Sequence, residues 1–297
     1  MPLRYKIVHR TEYRYAASVS ASYSQLRMRP RHAPNQRCLS SEVHVEPHPD
    51  HQREHPDYFG NRVEHVAIQH RHRRLDLTTT SIVEVHPPTP ALPLFGDRPW
   101  EMVRDAVGVV PGPDAVAAVQ FALDSSLVQA GPAFVDYARP SFTPRRPVVE
   151  AVSDLSSRIH RDFEFAPGGT AADTKPEEAL LARHGVCQDF AHVGIACLRS
   201  MGLPARYVSG YMETDPPPGR EKLIGADVSH AWFSLLIPGA GWLDVDPTND
   251  RMVGDRYIVT AYGRDYRDIA PVSGVMYSKG HTKSLSVSVD VSAIPAA

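Results

Sequence analysis

A chain of 297 residues is long enough for two ordinary domains, each with a core of its own. Its formal net charge of −2 gives no electrostatic reason to bind nucleic acid or an anionic membrane, and neither is expected as a partner. Three cysteines, Cys38, Cys187 and Cys197, are too few and too unpatterned for a disulfide framework and suit a reducing compartment. The first ten residues lack the apolar run of a signal peptide, and no later stretch is long enough to span a bilayer, so a cytoplasmic location is expected.

Residues 1–86 alternate in short β-branched runs separated by Pro, Asn and Gly, which predicts an N-terminal antiparallel β domain of sandwich type. Ten of the 15 histidines fall here, but none has the spacing of a tetrahedral metal site, so they read as strand-surface residues. Five prolines in residues 86–99 exclude both a helix and a central strand and mark a linker. Weak helical spacing in 100–109 and 115–122 makes 87–145 a linker and helical connection. A second domain is expected over 146–297. Pro147 opens a helix whose stripe is Val148, Val152, Leu155 and Ile159. Thr174-Lys-Pro-Glu177 has the form of a capping box before a short helix over 178–183.

His184-Gly185-Val186-Cys187-Gln188-Asp189 combines a glycine turn with a cysteine. The helix that follows repeats Phe190, Val193, Ala196, Cys197 and Met201 at three- and four-residue spacing. Cys187 therefore stands at a helix N-terminus, where unpaired N–H groups and the macrodipole favour a thiolate. Cys197 lies inside the apolar run and reads as core. Gly202-Leu-Pro204 stops the helix, residues 206–212 read as a strand, and 214–222, with three consecutive prolines, as a loop bordering a cleft. Residues 228–236 alternate as a half-buried strand. A Pro238-Gly-Ala-Gly241 turn and a second strand over 242–246 follow, stopped by Pro247. Closed as a hairpin, the two strands bring His230 and Asp246 to the same end, where a carboxylate can fix the imidazole tautomer. Asp244 shares that strand face. His184 and His192 flank the cysteine, but neither has a matching carboxylate strand, so both read as packing or surface residues. Trp232 and Trp242 are expected in the core or the cleft wall.

Four segments, Gly185-Val-Cys187-Gln-Asp189, Gly202-Leu-Pro-Ala-Arg206-Tyr-Val-Ser-Gly210-Tyr211, His230-Ala-Trp232 and Gly241-Trp-Leu-Asp-Val-Asp246-Pro-Thr248, resemble successive signatures of the transglutaminase-like superfamily. More narrowly, they resemble its bacterial transglutaminase-like cysteine peptidase branch. His9-Arg-Thr-x-Tyr13-x-Tyr15, Arg27-x-Arg29-Pro30, Asp57-Tyr-Phe-Gly60-Asn61 and Gly263-Arg-Asp265 carry the likeness through the rest of the chain. The resemblance implies an α+β protein in which the β domain precedes a papain-like, transglutaminase-like core. It further implies Cys187 as nucleophile, His230 as base and Asp246, rather than Asp244, as the orienting carboxylate. The oxyanion candidates are the backbone N–H of Cys187 and Gln188. The expected chemistry is thiol-dependent acyl transfer on amide bonds, tilted toward hydrolysis of a peptide or protein substrate. An amine-accepting transglutaminase is the alternative within enzymes, and a non-catalytic scaffold the alternative outside them. No cofactor or metal is expected. The three cysteines contain no Cys-x-x-Cys pair of the peptide N-glycanase type, and Asp244-x-Asp246-x-x-Asn249-Asp250 lacks the glycine and glutamate of a calcium loop.

Overall fold

The computed structural model describes residues 2–87, 97–109, 115–214, 227 and 229–295. Most of the expected linker at 86–99 and of the loop at 214–222 lies outside the described residues.

The N-terminal half begins with β1 (Leu3–Leu26), followed by β2 (Gln36–Glu46), β3 (His51–Pro56), β4 (Arg62–Ile68) and β5 (His72–Val85). These strands form one antiparallel sheet in the order β2-β5-β1-β4-β3. Instead of several short segments, β1 is a single strand of 24 residues that acts as the spine. One edge of β1 pairs first with β5, from Leu3↔Val85 to Arg14↔Arg74, and then with β4, from Ser22↔Ile68 to Leu26↔Glu64. The register shift between Arg14 and Val19 separates the two blocks, and the buried positions change from odd to even numbers between Val19 and Ser22, where the register on β13 also shifts. A two-layer sandwich is thus replaced by one long sheet.

Helices α1 (Trp100–Asp105), α2 (Ala115–Ala122), α3 (Pro132–Ala138) and α4 (Val148–Asp162) lead into the second half. There the chain runs through β6 (Glu164–Phe165), α5 (Pro176–Ala182), β7 (His184–Gly185), α6 (Cys187–Ser200), β8 (Ala205–Met212), β9 (Ser229–Ile237), β10 (Gly241–Asp246), β11 (Arg251–Met252), β12 (Tyr257–Gly263) and α7 (Tyr266–Ile269). The stripe read at Val148, Val152, Leu155 and Ile159 is the buried side of α4. The expected capping box does not form. Lys175 is the N-cap of α5, and the Thr174 hydroxyl instead accepts from the backbone N–H of Ala171 at 2.9 Å.

The second sheet is antiparallel, in the order β11-β10-β9-β8-β12, and α6 packs across it. Gly194 lets the helix approach β9 so closely that an added Cβ would meet the Phe233 ring at 2.5 Å. Arg199 fastens the other end of α6, donating to the carbonyls of Phe121, Ala205 and Arg264 and to the Ser125 hydroxyl at 2.7–3.0 Å. Burying Val193, Ile195 and Leu198 of α6 contributes roughly 1.5–3 kcal/mol per side chain.

The last strands, β13 (Val272–Ser278) and β14 (Thr282–Ile294), pair with the second edge of β1. They complete the N-terminal sheet, one of the two places open to a last strand read from the sequence. The halves meet through a shared apolar cluster in which Tyr5, Ile7, Val83, Val85, Val289 and Val291 pack on Tyr211 and Ile258.

Candidate active site

The turn before α6 is built around Asp189. Val186 is the extended N-cap, and the Asp189 carboxylate reaches back to accept its backbone N–H at 2.8 Å and the Thr170 hydroxyl at 2.7 Å. Gly185 is required here, because a Cβ would lie 2.6 Å from Asp189 Oδ2. Cys187 follows as the first helical residue, half-buried and free of any disulfide. Its own N–H is one of the unpaired donors of the helix start.

Opposite, β9 and β10 form the hairpin read from the alternation, with Val245 paired to Phe233 and Asp244 to Ser234. The His230 Nε2–H donates to Asp246 Oδ2 at 2.7 Å, and the other side of the ring is hydrogen-bonded to the Cys187 thiol. Asp246 is fully buried and richly donated to. Its Oδ2 also accepts from Tyr257 Oη and Asn249 Nδ2, each at 2.7 Å. Its Oδ1 takes the backbone N–H groups of Thr248 and Asn249 at 2.9 and 3.3 Å. Burial alone opposes ionisation of Asp246, but the His230 hydrogen bond and charge, with Asn249 and Tyr257, hold it below the usual carboxylate range. Burial likewise opposes a charge on His230. Hydrogen bonds to Asp246 and Cys187, with their charges, overcome that and push its pKa up to about 10.

Asp244, two residues earlier, is occupied elsewhere. It accepts from Trp232 Nε1 at 3.2 Å and from the Ser234 hydroxyl. Trp232 is fully buried beside His230, with ring centroids 6.2 Å apart, and so stands behind the imidazole. Trp242 packs on Phe121 and under the Arg206 guanidinium, 3.8 Å from its ring, and touches none of the three residues. The Gln188 amide donates to the carbonyl of Ala172 at 2.9 Å. Of the flanking histidines, His184 contacts the carbonyl of Ala182, while His192 is fully buried and accepts the backbone N–H of Tyr266 at 3.1 Å. Burial lowers the His192 pKa to about 4, which leaves it neutral. Cys197 is fully buried in the core. Among the described residues there is no cluster of three or more His, Cys, Asp or Glu suited to a metal, and no helix long and apolar enough to cross a membrane.

Sequence reasoning missed Tyr257, Asn249 and Asp189. Asn249 follows Asp246 at Asx-turn spacing, a local signal that could have found it. Tyr257 carried none, since it reaches Asp246 only through the pairing of β12 with β8.

Residues 5–84 match the bacterial transglutaminase-like N-terminal region, and residues 136–247 match the transglutaminase-like superfamily. An uncharacterized protein of Mycobacterium tuberculosis is 44% identical over 294 residues, covering 97% of this chain and 92% of its own length. The chain belongs to the transglutaminase-like superfamily, in the branch that carries the bacterial N-terminal region. Within that superfamily, an uncharacterized protein of Mycobacterium leprae is 32% identical over 97% of this chain and 98% of its own length. A protein-glutamine gamma-glutamyltransferase of Pseudomonas aeruginosa is 33% identical over 119 residues, 39% of this chain and 18% of its own. The crystal structure of a proposed cysteine protease from Cytophaga hutchinsonii superposes with a TM-score of 0.78 at 21% identity, over 100% of this chain and 92% of that one, and so shares the fold.

Proposed function

We propose that the protein is a thiol-dependent acyltransferase on amide bonds, most simply a hydrolase of peptides or related amides. The observation that carries this reading is the placement of His230 between the Cys187 thiol and the buried carboxylate of Asp246. A histidine with its pKa near 10 is an imidazolium at neutral pH, which sets a proton donor beside the Cys187 sulfur. The Cys187 thiolate attacks the amide carbonyl, and the backbone N–H of Cys187 receives the developing oxyanion. As the C–N bond breaks, His230 gives its proton to the leaving amine, leaving an S-acyl enzyme and a neutral imidazole. Water then attacks, His230 takes its proton, the acid departs, and the thiolate–imidazolium pair is restored. Asp246 keeps the tautomer throughout and stays ionised. Gln188 would have to release Ala172 before serving as a second oxyanion donor.

The identity to a protein-glutamine gamma-glutamyltransferase supports a second reading, in which an amine replaces water as acceptor. The thiol chemistry suits a reducing compartment such as the cytoplasm, since Cys38, Cys187 and Cys197 are all unpaired.

The test is intact-protein mass spectrometry after brief, substoichiometric iodoacetamide labelling across a pH series. Cys187 should label faster than Cys38 down to the acid end of the series, and His230→Ala should abolish that acid-side reactivity. Labelling of Cys187 no faster than that of Cys38 would refute the ion pair. Product analysis with a glutamine peptide, with and without a primary amine, then separates hydrolysis from transamidation.

A further inference from the structure

The outer edge of β12, opposite its pairing with β8, has no neighbouring strand among the described residues. Two side-chain amides from the N-terminal half close it instead, joined by the backbone N–H of Arg31, which donates to the Val259 carbonyl at 3.2 Å. Gln36 accepts the backbone N–H of Val259 at 2.7 Å and donates to the Val259 carbonyl at 2.8 Å. Asn61 accepts the N–H of Tyr262 at 2.8 Å and donates to the Tyr262 carbonyl at 2.7 Å. Both amides are buried, Asn61 completely, and each is held by further bonds: Gln36 donates to the carbonyl of Arg31, and Asn61 to Asp57. The register of β12 on β8 shifts between Val259 and Ala261, so its outward-facing peptide groups fall at Val259 and Tyr262, three residues apart. A regular strand presents its pairs every second residue and cannot match both. A side-chain amide carries an acceptor and donors at one point and can.

The first residue of that strand is Tyr257, two positions before Val259, and its hydroxyl donates to Asp246 Oδ2. We propose that the N-terminal domain is a positioning part of the active site, with Gln36 and Asn61 acting as a surrogate strand that holds β12, and through it Tyr257, on Asp246. This rests on the reading of Cys187, His230 and Asp246 given above. Without the Tyr257 contact the carboxylate loses a side-chain anchor, the imidazole loses its fixed partner part of the time, and Cys187 reacts more slowly. Gln36 and Asn61 touch none of the three groups, so they are positioning residues.

The test is the rate of Cys187 alkylation against pH in folded protein, with far-UV circular dichroism as the check on folding. Gln36→Met and Asn61→Leu keep side-chain volume and remove the paired bonds, and Tyr257→Phe removes the last link. Each should lower the acid-side rate about tenfold, as expected for loosened positioning. In the Tyr257→Phe background the amide substitutions should add less than about twofold, because they act through the same contact. Should the apolar variants not fold, Gln36→Glu keeps the test open. Its protonated carboxyl can keep both bonds to Val259 and gives up only the one to Arg31, so its rate should lie nearest wild type at acid pH and fall further below it as the carboxyl ionises. Wild-type profiles in the amide variants, or effects that multiply independently of Tyr257, overturn the proposal. If instead His230→Ala keeps the acid-side reactivity, it is the reading of the three site residues that fails.

Discussion

Gly194 offers a contest of signs. In the middle of a 14-residue helix, replacing glycine by alanine normally stabilises by about 1 kcal/mol. Here the added methyl would stand 2.5 and 2.6 Å from two carbons of the Phe233 ring, about 0.9 Å inside the 3.4 Å edge of ordinary contact. Phe233 is fully buried between α6 and β9 and has nowhere to turn. Over-packing of this kind costs roughly 1–3 kcal/mol and more when the backbone must move. Gly194→Ala should therefore lose a net of up to about 2 kcal/mol, at most a few degrees of melting temperature in a chain this long. Urea denaturation at pH 7 reads the loss as a lower midpoint at unchanged slope. The functional cost should exceed the loss of stability. Cys187 opens the helix that must recede, and His230 lies three residues before Phe233 on the strand it recedes from. A displacement near 1 Å at such a pair costs about a hundredfold in well-positioned chemistry, so acid-side alkylation of Cys187 should fall steeply in protein that is still folded. A variant more stable than wild type would refute the packing argument, and a destabilised variant with wild-type alkylation would refute its link to the site.

Acid should destabilise the fold through His9 and His192, which burial holds neutral with pKa values of about 4. The unfolded chain takes protons near 6.5, so their contribution is complete above that pH and is lost as pH falls toward 4, by on the order of a few kcal/mol for the pair. Urea midpoints measured from pH 7.5 to 4 check this, and a stability flat across that window would count against it. The two hairpin aspartates should separate cleanly. Asp244→Ala strands the buried donors of Trp232 and Ser234, at about 1–3 kcal/mol, yet should keep low-pH labelling of Cys187. Asp246→Ala should remove that labelling, and equal reactivity in the two variants would mean that the carboxylate partner of His230 has been misassigned.

What could be read from the chain was what local periodicity carries. The helix behind Cys187 and the hairpin of β9 and β10 repeat at 3.6 and 2 residues, so the positions of Cys187, His230 and Asp246 were legible before any fold was known. The choice between Asp244 and Asp246 was not a matter of periodicity, since both share a face. In the fold Asp244 accepts from Trp232 and Ser234, while Asp246 accepts from His230. The long course of β1 was hidden because its buried positions change from odd to even numbers between Val19 and Ser22, which breaks the alternation that reveals strands. Thr174 had the right spacing for a cap, but the helix begins one residue later, and its hydroxyl serves the preceding turn. Tyr257, Gln36 and Asn61 gave no local sign at all, because their partners lie 11, 223 and 201 residues away in sequence.

Those long separations also bear on what counts as a domain here. By chain order the protein divides into a β region and a catalytic region, but the pairing of β13 and β14 with β1 closes the N-terminal sheet with the last strands of the described chain. The core is thus an insertion between two parts of one sheet, fastened at both ends. The fastening is not remote from the chemistry: β14 supplies Val289 and Val291 to the cluster that packs on Tyr211 and Ile258, while Gln36 and Asn61 pair with β12 alongside. Ile258 lies between Tyr257, which holds Asp246, and Val259, which Gln36 holds. The same short strand therefore carries the apolar contact between the halves, the polar contact between them, and the hydroxyl that steadies the carboxylate. An N-terminal sheet that only covered a cleft would have no need to bind this strand from two sides. That it does so makes the conformation of the site a property of both halves together.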